Sequence, residues 1–154
     1  MEYFNLLGLF FLLIILAPNL LFVARYKSVS ATWHNRAVEA IEQIGRIGCV
    51  VFMVLKIPRV YFDFWSETAF SVYLCVNVAL AALYCVLWGV LWKNNSLVKA
   101  LLLSILPSVV FLFSGLMSRS ILLVVSVLLF APAHILISCK NADKTPKESR
   151  ELDK

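Results

Sequence analysis

Residues 35–56 read NRAVEAIEQIGRIGCVVFMVLK, an apolar segment of helical length with charges set along one side. At about 100° per residue, Asn35, Arg36, Glu39, Glu42, Gln43 and Arg46 share an arc of roughly 120°. Val38, Ile41, Ile44, Gly48, Val51 and Phe52 take the other side. The remainder of the chain is long apolar runs and short connectors, so this stripe must meet polar neighbours or water.

The composition sets the class. The chain has 154 residues, 62% of them hydrophobic and 15% charged, with a mean hydropathy of +0.89. Soluble domains carry about 45–50% apolar and about 25% charged residues. The excess lies in runs close to the ~20 residues that span a hydrocarbon core. A membrane β-barrel would instead alternate apolar and polar positions in short segments. The expectation is an all-α integral membrane bundle of five transmembrane helices, with spans at 3–24, 36–57, 68–92, 97–117 and 121–139. Residues 140–154, mixed in charge and poor in apolar side chains, read as a disordered cytoplasmic tail.

Local signals set the span ends. The chain opens Met-Glu-Tyr-Phe, without the basic region of a signal peptide, so the first run reads as a span. Asn35 and Ser66 suit helix N-caps, the latter followed by Glu67 in the first turn. Pro58 predicts the end of the second helix. Residues 58–66 are too broken to span, and their aromatic density suits the headgroup region, as does Trp33. Ser118-Arg119-Ser120 predicts a tight hairpin. Pro18, Pro107 and Pro132 fall inside spans, where each kinks the helix and frees a carbonyl. Gly45 and Gly48 permit either a close helix contact or a bend. Asn94 heads an N-x-S sequon, which matters only on a lumenal face. Cys49, Cys75, Cys85 and Cys139, with no C-x-x-C, read as buried apolar thiols.

Five spans place the termini on opposite sides, and the basic residues choose between them. Arg25, Lys27, Arg36, Lys93, Lys99, Lys140, Lys144, Lys147, Arg150 and Lys154 fall on one side, and Lys56, Arg59 and Arg119 on the other. The excess predicts an outside N-terminus and a cytoplasmic C-terminus. It also accounts for the net charge of +5 without a nucleic-acid partner.

With that orientation, Asn19, Glu42, Gln43, Arg46, Ser104, Ser108 and His134 lie in the cytoplasmic half, with Tyr84 near the same level and Asn77 nearer mid-membrane. Glu42 and Arg46 have the favourable i, i+4 order for a helical ion pair. Either charge alone at the bilayer centre costs about 2.5–3.5 kcal/mol on insertion scales, so pairing is expected. The expected ligand or ion pathway is Glu39, Glu42, Gln43, Arg46, His134 and Asn19. Two blander arrangements stay open: residues 35–46 lying on the membrane surface and bending at Gly45 or Gly48, or the stripe satisfied inside the bundle to fix packing. The alternative for His134 is a bond to a backbone group or to Ser138.

Enzyme chemistry is not indicated. No aspartate lies in a span, G-x-S-x-G and H-E-x-x-H are absent, and the only histidines are His34 and His134. No metal or cofactor is expected. A Glu42/His134 acid–base pair fits by depth but is not demanded by spacing.

The run Ile41-Glu42-Gln43-Ile44-Gly45-Arg46, with Cys49, Phe52, Met53 and Ile57-Pro58, the stretch Leu102–Ser114 and Ala131-Pro-Ala-His134 resemble small polytopic membrane proteins of Gram-positive bacteria without assigned activity. That resemblance implies a bacterial plasma membrane and no function. Tryptophan-rich sensory proteins share the span number but not their Trp-Pro motifs, and small multidrug exporters share a membrane glutamate but not the span number.

Two functions follow as expectations. One is binding or transport of a small molecule or ion through a cytoplasm-facing polar cavity, as a homodimer if a path must be enclosed. The other is an accessory, regulatory or immunity-type role through helix contacts with a membrane partner. A closed bundle around a wet cavity favours the first, and an uncovered apolar stripe favours the second.

Overall fold

The computed structural model describes residues 3–25, 33–91 and 97–152, with side chains at 3–21, 33–91 and 97–142. The link 26–32 and the turn 92–96, which holds Trp92 and the Asn94 sequon, lie outside the described residues. Five helices follow in order: α1 Leu6–Arg25, α2 Arg36–Val54, α3 Glu67–Val90, α4 Leu97–Met117 and α5 Ile121–Leu152. Among the described residues there is no strand, only isolated bridges between Phe4 and Leu55 and between Tyr61 and Ser120.

Side-chain caps start two of these helices. Asn35 Oδ1 accepts the Ala37 and Val38 N–H groups at 3.1 and 3.4 Å. Ser66 Oγ accepts the Ala69 N–H at 3.1 Å. Each satisfies donors that a first helical turn leaves without an internal partner.

The ends are set by tertiary contacts as well. α2 stops at Val54, four residues before Pro58. Here Asn5 N–H donates to the Val54 carbonyl at 2.7 Å and Lys56 N–H to Tyr3 at 2.8 Å, so the N-terminal segment takes over the pairing. α4 ends in a Schellman-type turn. Ser120 N–H bonds the Gly115 carbonyl at 2.9 Å and Arg119 N–H bonds Leu116 at 3.2 Å, with Arg119 at φ 52°. Ile121 N–H then reaches the Val60 carbonyl at 3.1 Å, tying segment 58–66 to the α4–α5 hairpin.

The stretch read as a tail, residues 140–154, falls in part within the last helix. α5 runs without a break to Leu152, through residues 140–152. Extending an existing helix avoids the nucleation step that opposes a free one.

The helices form a closed ring in the order α1, α2, α5, α4, α3, back to α1, with α2 also touching α4. The most extensive contact is α2 on α5, antiparallel, with Gly45 against Phe130 and Gly48 against Ser126. A Cβ on Gly45 would stand 2.6 Å from the Phe130 backbone nitrogen. Close contact, rather than a bend, is therefore what these glycines provide.

Polarity is distributed inside out relative to a soluble protein. Asn77, Ser104, Ser108, Ser114 and Glu42 are buried, while Leu20, Ile44, Ile47, Val86, Val90 and Leu128 are exposed. Ser108, Ser118 and Ser126 donate to the carbonyl one turn back at 2.9, 2.6 and 2.8 Å, and Ser104 bonds Ala100 likewise. Asn77 donates to the Tyr73 carbonyl at 2.9 Å and accepts from Ser114 Oγ at 3.1 Å, joining α3 to α4.

Among the described residues, Glu67–Val90, Leu97–Met117 and Ile121–Ala142 are long and apolar enough to cross a membrane, and Leu6–Leu21 is apolar but shorter. This exterior and these lengths indicate a membrane protein. The thiols need one correction: Cys49 is buried, Cys139 is half-buried, and Cys75 and Cys85 are exposed on the apolar exterior.

Candidate functional site

The α2–α5 register builds the site. Stacking Gly45 on Phe130 brings Glu42, one turn earlier on α2, opposite His134, one turn later on α5. His134 Nδ1 lies 3.0 Å from Glu42 Oε1. An ionised carboxylate only accepts, so this hydrogen bond requires the proton on Nδ1. Arg46 bonds the same Glu42 oxygen from the next turn of α2. Glu42 itself is 5% exposed, whereas the Arg46 side chain is half-exposed. The Phe130 ring stacks on the imidazole at 4.7 Å between centroids and 19° between planes, which holds the His134 ring in place.

Above this trio opens a cleft of about 490 Å³ between the first half of α2 and the distal part of α5. Trp33, Arg36, Glu39, Gln43, Ser138 and Asn141 complete its rim. Glu39 Oε1 pairs with His34 Nδ1 at 2.8 Å, and Trp33 N–H donates to Asn141 Oδ1 at 3.1 Å. Among the described residues no group of three His, Cys, Asp or Glu side chains could hold a metal.

Of the residues singled out in the sequence, Glu39, Glu42, Gln43, Arg46 and His134 line this one cleft. Asn19 does not. It is exposed on α1, near the Tyr84 hydroxyl of α3. Pro18 and Pro107 lie inside α1 and α4, and Pro132 is exposed on α5 two residues before His134. Trp33, His34, Ser138 and Asn141 were not legible as site residues. Trp33 and His34 precede the α2 cap, and Asn141 falls in the stretch read as disordered. Only the antiparallel register brings these two segments together.

The apolar side of α2 faces outward, with Ile41, Ile44 and Ile47 at 45%, 65% and 61% exposure. Its polar edge is turned toward α5. At the other end of the bundle a second hollow of about 420 Å³ is bounded by Tyr3, Lys56, Pro58, Tyr61 and Asp63. There Lys56 Nζ lies 5.3 Å from the Tyr61 ring centroid and 4.0 Å from Asp63.

Fold and cleft together define an all-α, five-helix bundle of membrane type with a charged cleft at one end. Comparison with protein-family models, with curated proteins and with solved structures finds no match.

Proposed function

We propose that the chain is a multi-pass membrane protein that binds or transports a small polar molecule or ion at the α2/α5 cleft. The cleft faces the cytoplasm and the N-terminus lies outside, following the basic-residue bias. The observation that carries the reading is Glu42, 5% exposed yet forming the floor of an open cleft. A buried charge is costly in a membrane bundle and is retained where it serves a site. A helix-to-helix staple needs no opening beside it. This one adjoins a space within the ~300–1,000 Å³ range of small-molecule sites.

A second reading rests on a different observation. The exposed row Ile41, Ile44, Ile47 leaves α2 without a neighbour on that side among the described residues, as an accessory protein that docks a partner helix would. In lipid the same row needs no partner, so the cleft is the more specific feature.

The test uses a variant with Cys49, Cys75, Cys85 and Cys139 replaced by Ala, carrying single cysteines at Glu39, Gln43 or Arg46. A membrane-impermeant maleimide should label all three in inverted vesicles and none in right-side-out vesicles. Labelling from the opposite face, or none from either, would overturn the reading.

A further inference from the structure

The cleft has a chemical preference, visible in which of its groups already have partners. Both carboxylates are occupied, Glu39 by His34 and Glu42 by His134 and Arg46. The donors are not. Arg36 has no ion-pair partner among the described residues, although it lines the cleft. Arg46 commits one terminal nitrogen to Glu42, and its half-exposed guanidinium has further N–H groups at the rim. The exposed Gln43 amide makes no hydrogen bond among the described residues. Ser138 also differs from Ser104, Ser108, Ser118 and Ser126, because it does not donate to the carbonyl one turn back.

A cationic ligand would meet carboxylates that already accept from His34, His134 and Arg46. An anion would displace nothing and would meet two guanidinium groups, an amide and a hydroxyl. Arginine favours oxyanions that accept two parallel N–H bonds, and of carboxylate and phosphate the latter has more oxygens to meet two guanidinium groups, an amide and a hydroxyl together.

We propose that the α2/α5 cleft binds a phosphate group, with Arg36 and Arg46 as its charged anchors and Gln43 and Ser138 as neutral donors. This rests on the cleft being a ligand site, as argued above. The phosphate belongs either to an anionic lipid headgroup or to a free phosphate of the aqueous phase.

The test places a single cysteine at Ala40, a cleft-lining position that is not among these donors, in the cysteine-free background. Its labelling rate by neutral N-ethylmaleimide is followed in phosphatidylcholine nanodiscs. It is then followed with added phosphatidylglycerol, with inorganic phosphate, and with tetramethylammonium chloride as a cationic control. Slowing by phosphatidylglycerol assigns the phosphate to a lipid, and slowing by inorganic phosphate assigns it to the aqueous phase. Either slowing should be several-fold and should vanish in Arg36→Gln and in Arg36→Gln/Arg46→Gln. The single variant carries the test if the double one does not fold, because Arg36 is exposed. Slowing by the cation alone, by no addition, or equally in Arg36→Gln would overturn the proposal while leaving the cleft in place. Failure of Ala40→Cys to label at all would instead remove the cleft and the proposal together.

Discussion

Glu42 and His134 are 92 residues apart in the chain and 3.0 Å apart in the fold, and that contact joins α2 to α5 at the cytoplasmic end proposed here. A hydrogen bond to a charged group contributes about 1.5–3 kcal/mol, more than a neutral one. Arg46 shares the same oxygen, so the three side chains act as a unit.

A double-mutant cycle should expose that unit. Glu42→Gln and His134→Gln are each expected to destabilise the bundle, and the pair should couple by about 0.5–3 kcal/mol. Unfolding in mixed micelles by increasing SDS measures it. Strict additivity would mean that the contact contributes nothing to the fold.

If the cleft leads to a proton pathway, Glu42→Gln should abolish proton entry into pyranine-loaded proteoliposomes under an imposed pH gradient. Binding without transport predicts no entry in either protein. Equal entry in both would remove Glu42 from any transport role.

Glycine substitutions should separate by position. Gly45→Ala drives a methyl into the Phe130 backbone, where the nearest atoms stand at 2.6 and 2.8 Å, and should cost about 1–3 kcal/mol. Gly89 has nothing within 4 Å of an added Cβ, so Gly89→Ala should be neutral or stabilise by up to about 1 kcal/mol through helix propensity. Thermal unfolding in one detergent compares them.

The Asn77–Ser114 bond should matter modestly. Ser114→Ala leaves the fully buried Asn77 carbonyl oxygen short of its donor. Side-chain hydrogen bonds between membrane helices average about 0.6 kcal/mol, so a loss near that size is expected in the same SDS titration. A loss several times larger would point to repacking of the α3–α4 contact.

Tyr61 carries the pH dependence of the loop end. Burial, and then the Asp63 carboxylate beside it, push its phenol above the usual value. A group whose pKa is raised on folding stabilises below the unfolded value, about 10, and loses that contribution as pH climbs through the folded one. Loop order, followed by labelling of a Phe62→Cys variant in the cysteine-free background, should therefore fall at high pH. It should hold in the matching Tyr61→Phe protein. Near neutral pH Tyr61→Phe should be harmless, since its buried hydroxyl has no hydrogen-bond partner among the described residues.

Local chemistry was enough for part of this molecule. The caps at Asn35 and Ser66, the α4 range, the Ser118–Ser120 hairpin and the apolar helices follow from side-chain types acting over a few residues. The i, i+4 pairing of Glu42 with Arg46 is equally local, because one turn of helix enforces it. The end of α2 and the continuation of α5 were not legible. The first depends on the remote segment 3–5, and the second on a helix already nucleated 20 residues upstream. The cleft belongs to the tertiary structure. Glu42, His134, Trp33 and Asn141 meet because Gly45 and Gly48 let α2 lie against α5 in one antiparallel register, and no pattern within either helix specifies its partner.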